Sequence, residues 1–150
     1  MNHVNEAIAY LRKSTGNDKL QLNGDHVSLD FNGRCILDIT KLDDSNIELI
    51  SILQSTPMGM GDIAYSQLLV ANYVGSGTGA ARLSLTPEDH ELALCQRVDV
   101  TKMDESAFES TVIEFVKFAS FWNTEDAMKL LSTEPKAHSS NDVDEVIIPA

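Results

Sequence analysis

The residues able to do chemistry in this sequence are few, and each is explained by its neighbours. Cys35 and Cys95 are the potential nucleophiles. A reactive thiol needs a group that lowers its pKa, and nothing close in sequence offers one. Cys35 lies in an apolar alternation with Leu37 and Ile39, where a buried cysteine packs like any small hydrophobe. Cys95 faces away from Leu92 and Leu94 on a regular strand, which turns it towards exposure. His90-Glu91 begins like a zinc-protease helix, yet Leu94 stands where the second histidine belongs. His3, His26 and His138 are scattered, and no short-spaced Cys/His pair points to a metal. Gly75-Ser76-Gly77-Thr78-Gly79 suggests a phosphate loop, but such a loop follows a strand, opens a helix and carries a lysine. Here a helix precedes, a strand follows, and the next lysine is Lys102, so the segment reads as a flexible link. The acidic pairs Asp43-Asp44, Glu88-Asp89 and Glu125-Asp126 fall at turns and helix starts, where they serve as turn formers and caps. The residues therefore imply no catalytic group, no metal and no cofactor.

Composition narrows the partners. In 150 residues, 23 acidic side chains stand against 11 basic ones, a net charge of −12. A surface that tracks phosphates needs clustered Lys and Arg, so nucleic acid is not expected as a partner. No apolar run approaches a bilayer span and no basic amphipathic helix is present, so no membrane is expected either. The start, MNHVNEAIAYLRK, lacks the charged stub and apolar run of a signal peptide. Two cysteines make no disulfide framework, and the chain reads as soluble and cytoplasmic.

The elements that must position any site follow from periodicity. Val4, Ala7, Ile8 and Leu11 predict a first helix that stops at Gly16-Asn17. Strands are predicted over Val27 to Phe31, over Cys35 to Ile39, and from about Ile47 to Leu53. Face matching favours a three-residue loop, Phe31-Asn32-Gly33, that pairs Leu29 with Cys35 and Val27 with Leu37. This register turns Ile36, with Ile50 and Ile52, to the second face of the sheet. A second helix, from about Asp62 to Val74, carries Asp62 as its one charge and must be buried against something. Two strands follow, around Leu83 to Leu85 and from Leu92 to Val100. A long helix from about Asp104 then turns Phe108, Val112, Phe115, Ala119 and Trp122 to one side, with a kink at Asn123-Thr124. The fold class is α+β: helix, three antiparallel strands, helix, two strands, long C-terminal helix. Residues 1–131 form the domain. Residues 132–150, with four acids against one lysine, read as an acidic disordered tail.

Four segments in order carry a family resemblance: LDFNGRCILDI (Leu29 to Ile39), LLVANYV (Leu68 to Val74), GAARLSLTPEDHELAL (Gly79 to Leu94) and FESTVIEFVKFASFW (Phe108 to Trp122). Together they resemble the class I type III secretion chaperones, the CesT/SycE-like family of small acidic bacterial proteins. The resemblance spans roughly Val4 to Leu131. It implies a homodimer that binds the unfolded N-terminal region of a secreted effector without ATP hydrolysis or a cofactor. It implies hand-over to the secretion machinery as well, with the secretion-system ATPase as a further partner. The family's dimer interface, carried over, falls on Ile63, Leu68, Leu69, Ala71, Tyr73, Leu83 and Leu85. The residues themselves point to an effector groove built from Ile8 and Leu11 on the first helix and Ile36, Ile50 and Ile52 on the sheet, where an extended peptide can add to a strand edge. The alternative reading is an adaptor or regulatory protein of the same fold that binds a folded partner.

Overall fold

A computed structural model describes residues 1–53, 61–87 and 91–131. The expected turn at Glu88-Asp89, the zinc-protease-like His90, the chain break at Pro57 and Gly59, and the tail 132–150 lie outside the described residues. Among those described, the elements are α1 (Val4–Thr15), β1 (His26–Asp30), β2 (Ile36–Lys41), β3 (Asn46–Ile52), α2 (Asp62–Asn72), a 3-10 turn (Tyr73–Gly75), β4 (Arg82–Leu85), β5 (Leu92–Asp99), a second 3-10 turn (Val100–Lys102), α3 (Glu105–Trp122) and α4 (Glu125–Leu131). The strands form one antiparallel sheet in the order β1-β2-β3-β5-β4. The α+β class is as expected.

Register decides which residues share a face. Leu29 pairs with Leu37, Val27 with Ile39, Ile39 with Leu49, Ile47 with Val98 and Leu83 with Leu94. These side chains share one face and join a single core with Val4, Ala7, Ile8 and Leu11 of α1 and Phe108, Val112, Phe115, Ala119 and Trp122 of α3. The apolar positions of α3 follow helical spacing, and Asp104 caps its start by accepting the Ala107 N–H at 2.8 Å. Beside it, α1 is held by Tyr10 Oη donating to Glu109 at 2.7 Å and by the terminal amine of Met1 donating to the Met103 carbonyl at 2.6 Å. Asn123-Thr124 interrupts the helix between α3 and α4, where the kink was expected.

Two expectations need correction. The β1–β2 register is two residues from the predicted one: Leu29 meets Leu37, not Cys35. Phe31 stays in the ladder, donating its N–H to the Cys35 carbonyl at 3.0 Å, and the loop is Asn32-Gly33-Arg34. Asn32 (φ 55°) and Gly33 (φ 69°) both take left-handed conformations, and Asp30 Oδ1 accepts the Gly33 N–H. A slip of two keeps side-chain parity, so the faces come out as predicted even though the partners do not. The glycine-rich link is also not loose. A Cβ on Gly79 would lie 2.7 Å from the Phe118 ring, one on Gly77 would lie 3.0 Å from Ala71, and the Gly77 carbonyl accepts Trp122 Nε1 at 2.9 Å. These glycines permit close approach to α3 and α2.

The β2–β3 turn ties the sheet to its surroundings. Asp43 accepts the N–H groups of Ser45 (2.7 Å) and Asn46 (2.8 Å), while the Asp44 and Ser45 carbonyls accept the N–H groups of Val4 and Val100. The bond from Ser45, then those from Asn46, hold the Asp43 carboxyl below its ordinary range. A carboxyl with a depressed folded pKa stabilises above its unfolded value, near 3.9, and that contribution is lost as pH falls through the folded value. Asp43→Asn, a mimic of the protonated acid, should therefore lower the urea midpoint at pH 6 and do so much less at pH 3. An equal loss at both values would remove the carboxylate from the turn's stability.

Candidate functional site

The second face of the sheet carries His26, Ser28, Asp30, Ile36, Asp38, Thr40, Glu48, Ile50, Ile52, Ala93, Cys95, Arg97, Arg82 and Ser84, as the alternation and pairing dictate. Exposure on the two sides differs sharply. Leu37, Ile39, Ile47 and Leu49 on the first face are fully buried, whereas Ile36 on the second is 46% exposed and Ile50 and Ile52 are half-buried. Asp38, Ile50, Cys95 and Arg82 form one row across four strands, flanked by Ile52, Ala93 and Ser84 on one side and by Thr40, Glu48 and Arg97 on the other. The result is an apolar strip on a pleated surface, bounded by Asp30 and Asp38 on β1 and β2 and by a charged cluster on β3, β4 and β5. Glu48 is 7% exposed and holds Arg82 at 2.5 Å and Arg97 at 3.2 Å. Sequence reasoning missed this cluster, because the three residues meet only through the pairing of β3 with β5 and of β5 with β4.

Of the five residues expected to line a groove, the structure brings three together. Ile36, Ile50 and Ile52 share the open face. Ile8 and Leu11 do not belong with them: each is 3% exposed, turned inward from α1 into the core. Their i, i+3 spacing beside Val4 and Ala7 is that of a core stripe, and it is used as one.

The second uncovered apolar surface is α2. Ala64 and Leu68 face the core, with Ala71 packed against it, while Ile63, Tyr65, Leu69, Val70, Tyr73 and Val74 point out. Leu69 and Tyr73 are 72% and 73% exposed. The seven residues expected at an interface thus divide: Ile63, Leu69 and Tyr73 are exposed, Ala71 and Leu85 are half-buried, and Leu68 and Leu83 are core. Leu68 and Leu83 are accordingly corrected from interface to core, since helical and strand periodicity turn them inward. Val74 holds a left-handed backbone (φ 47°), which is strained for a β-branched residue, and its side chain stands free in solvent. Asn72 closes the open edge of β4: its side-chain amide donates to the Leu83 carbonyl at 3.1 Å and accepts the Leu83 N–H at 2.8 Å.

Burial raises both thiols. Cys35, with its Sγ 3.8 Å from Ser120 Oγ, and Cys95 on the open face are each pushed up by desolvation, with Arg82 opposing weakly at Cys95. Among the described residues no group of three or more His, Cys, Asp or Glu converges to hold a metal. No helix there is long and apolar enough to cross a membrane.

A family model, that of the Tir chaperone protein (CesT) family, matches residues 6–123. The chain belongs to the CesT family. No curated protein sequence matches it at significant similarity. Solved structures share its fold at low identity. The ExsC–ExsE complex aligns with TM-score 0.65 at 17% identity, covering 79% of this chain and 90% of the other. The Yersinia pestis type III secretion chaperone SycH, in complex with a stable fragment of YscM2, gives 0.60 at 12%, covering 78% and 97%. The E. coli protein YbjN, a candidate transcription regulator, gives 0.57 at 16%, covering 85% and 96%. The family is one of chaperone proteins, and in this member burial holds both thiols above their ordinary pKa, which disfavours the thiolate. Iodoacetamide at pH 7.5 should therefore modify Cys95 more slowly in the native chain than in urea, and Cys35 more slowly still. Native alkylation of either faster than in urea would reveal an activated thiolate.

Proposed function

We propose that this chain is a cytoplasmic, non-catalytic chaperone that works as a homodimer. It binds the unfolded N-terminal region of a secreted effector, keeps it soluble and secretion-competent, and delivers it to the secretion machinery, where the secretion-system ATPase is its further partner. The observation that carries the reading is a pair of uncovered apolar surfaces on different elements of one CesT-family domain. The outer side of α2, charged only by Asp62 at its start, suits a second copy. The open sheet face, with Ile36, Ile50 and Ile52, suits an extended client whose alternate side chains meet a pleated surface. The competing reading is an adaptor of the same fold that holds a folded partner.

Purified protein should scatter light as a dimer at micromolar concentration. Leu69→Glu should yield a folded monomer, because the side chain it replaces is exposed. Leu68→Ala should instead lower stability by about 2–5 kcal/mol through a core cavity. A wild-type monomer, or a Leu69→Glu dimer, would remove α2 as the interface.

Client binding is tested with the first hundred or so residues of each secreted protein encoded beside this gene, co-expressed and then treated with protease. The chaperone reading expects a long protected stretch that is lost in Ile50→Asp and Ile52→Asp while the dimer persists. Protection of a compact domain with no extended segment would favour the adaptor.

A further inference from the structure

Glu48 is a nearly buried carboxylate beside an apolar strip, and its charge is answered twice over. Arg82 donates Nη2 to Oε1 and Arg97 donates Nε to Oε2, one arginine to each oxygen. Two guanidinium groups on one carboxylate leave this cluster net positive in a chain of charge −12. Each guanidinium has five N–H donors. Each gives one to Glu48, makes no other hydrogen bond among the described residues, and is at least half exposed. The carboxylate thus tethers each guanidinium by one hydrogen bond and leaves the rest of its donor fork open to a partner.

Their position matters as much as their charge. Arg97 lies opposite Glu48, and Arg82 shares a row with Cys95 and Ile50. The forks therefore border the strip formed by Ile50, Ile52 and Ala93. We propose that Arg82 and Arg97 read an acidic side chain of the client: the occupant of this face is an extended segment of another protein, apolar at alternate residues, with an Asp or Glu where it passes the two forks. The proposal rests on the chaperone reading of the face and adds a register to it. A carboxylate meets planar donors at charge-assisted distance. A cationic client residue finds no counterpart at the forks, because Glu48 is buried and already shared; the accessible acids of this face, Asp30 and Asp38, lie across the strip on β1 and β2. An acid placed elsewhere along the client meets a surface of like charge and is repelled. A shift of one residue would turn the client's apolar side chains away, and a shift of two would carry its acid off the forks.

The test is selection of phage-displayed random 12-residue peptides on the full chain. The enriched peptides should alternate apolar residues and carry Asp or Glu at one fixed offset. Against Arg82→Gln/Arg97→Gln the alternation should persist and the acid should vanish. Against Glu48→Gln, which removes the carboxylate charge and keeps both arginines, the acid should persist. Arg97→Gln alone, at a largely exposed side chain, serves should the double variant not fold. In a synthetic copy of the best peptide, replacing the acid by its amide should weaken binding about 5- to 10-fold, as an exposed charge-assisted pair allows. Apolar peptides without an acid, or an acid preference that survives loss of the arginines, would overturn this inference and leave the chaperone reading standing. Peptides whose binding ignores Ile50→Asp would overturn the reading itself.

Discussion

The structure depends on the parity of one central strand. β3 pairs on both sides, with β2 and with β5, so its alternation sets the face of nearly every residue in the sheet. Ile47 and Leu49 point into the core, and Glu48, Ile50 and Ile52 point out. A strand with large apolar residues on both sides is common in sheets covered on both faces. Here helices α1 and α3 contribute the core on one side, and the surplus apolar residues are left at the surface. Shifting β3 by one residue would bury Glu48 between α1 and α3 and expose Ile47 and Leu49, which the core could not survive. The open apolar strip and the arginine cluster follow from the same parity that makes the core.

Edges are treated differently from faces. An exposed strand edge invites pairing with any other strand, and proteins blunt it. β4 is four residues long, and the Asn72 amide occupies the outward N–H and C=O of Leu83 as a neighbouring strand would. This side chain ties the end of α2 to the sheet, alongside Ala64 and Leu68, whose burial turns the opposite side of the helix outward. At the other end β1 is five residues long, with His26 tied back to Asn23 and Asp30 engaged with Gly33 in the loop. The apolar surface that remains is on faces, where a partner is selected by side-chain shape.

The sequence was most legible where periodicity alone decides. The helix faces of α1 and α3, the break at Asn123, the burial of Cys35 and the outward turn of Ile36, Ile50 and Ile52 all follow from spacing. Ile8 and Leu11 misled because an amphipathic stripe looks the same whether it meets a core or a groove. The turn at Asn32-Gly33 misled because Asn32 also adopts positive φ: the three-residue loop sits one residue further along the chain, which slides the register by two. Leu68 and Leu69 were grouped although about 100° separates neighbours on a helix, which puts them on different sides. The Glu48 cluster was beyond sequence reach, since residues 34 and 49 positions apart meet through two strand pairings.

Charge then bears on which surfaces may associate. A chain of −12 repels its own copies over most orientations, and the tail carries −3 of that, leaving −9 on residues 1–131. Such repulsion protects a protein with exposed apolar strips from indiscriminate self-association. It would also oppose a dimer, unless the contact brings few like charges together. The outer side of α2 meets that condition, because Asp62 at its N-terminus is its one charged residue. The sheet face is different: Asp30 and Asp38 flank its apolar residues on one side and Arg82 and Arg97 on the other, so charges of both signs surround the strip. Charge therefore sorts the two apolar surfaces: the outer side of α2 carries almost none, while the sheet face carries acids on β1 and β2 and arginines on β4 and β5. That sorting is electrostatic and acts over roughly a Debye length, about 8 Å at physiological ionic strength. Salt should accordingly weaken the distinction between the surfaces before it weakens the hydrophobic contact at either.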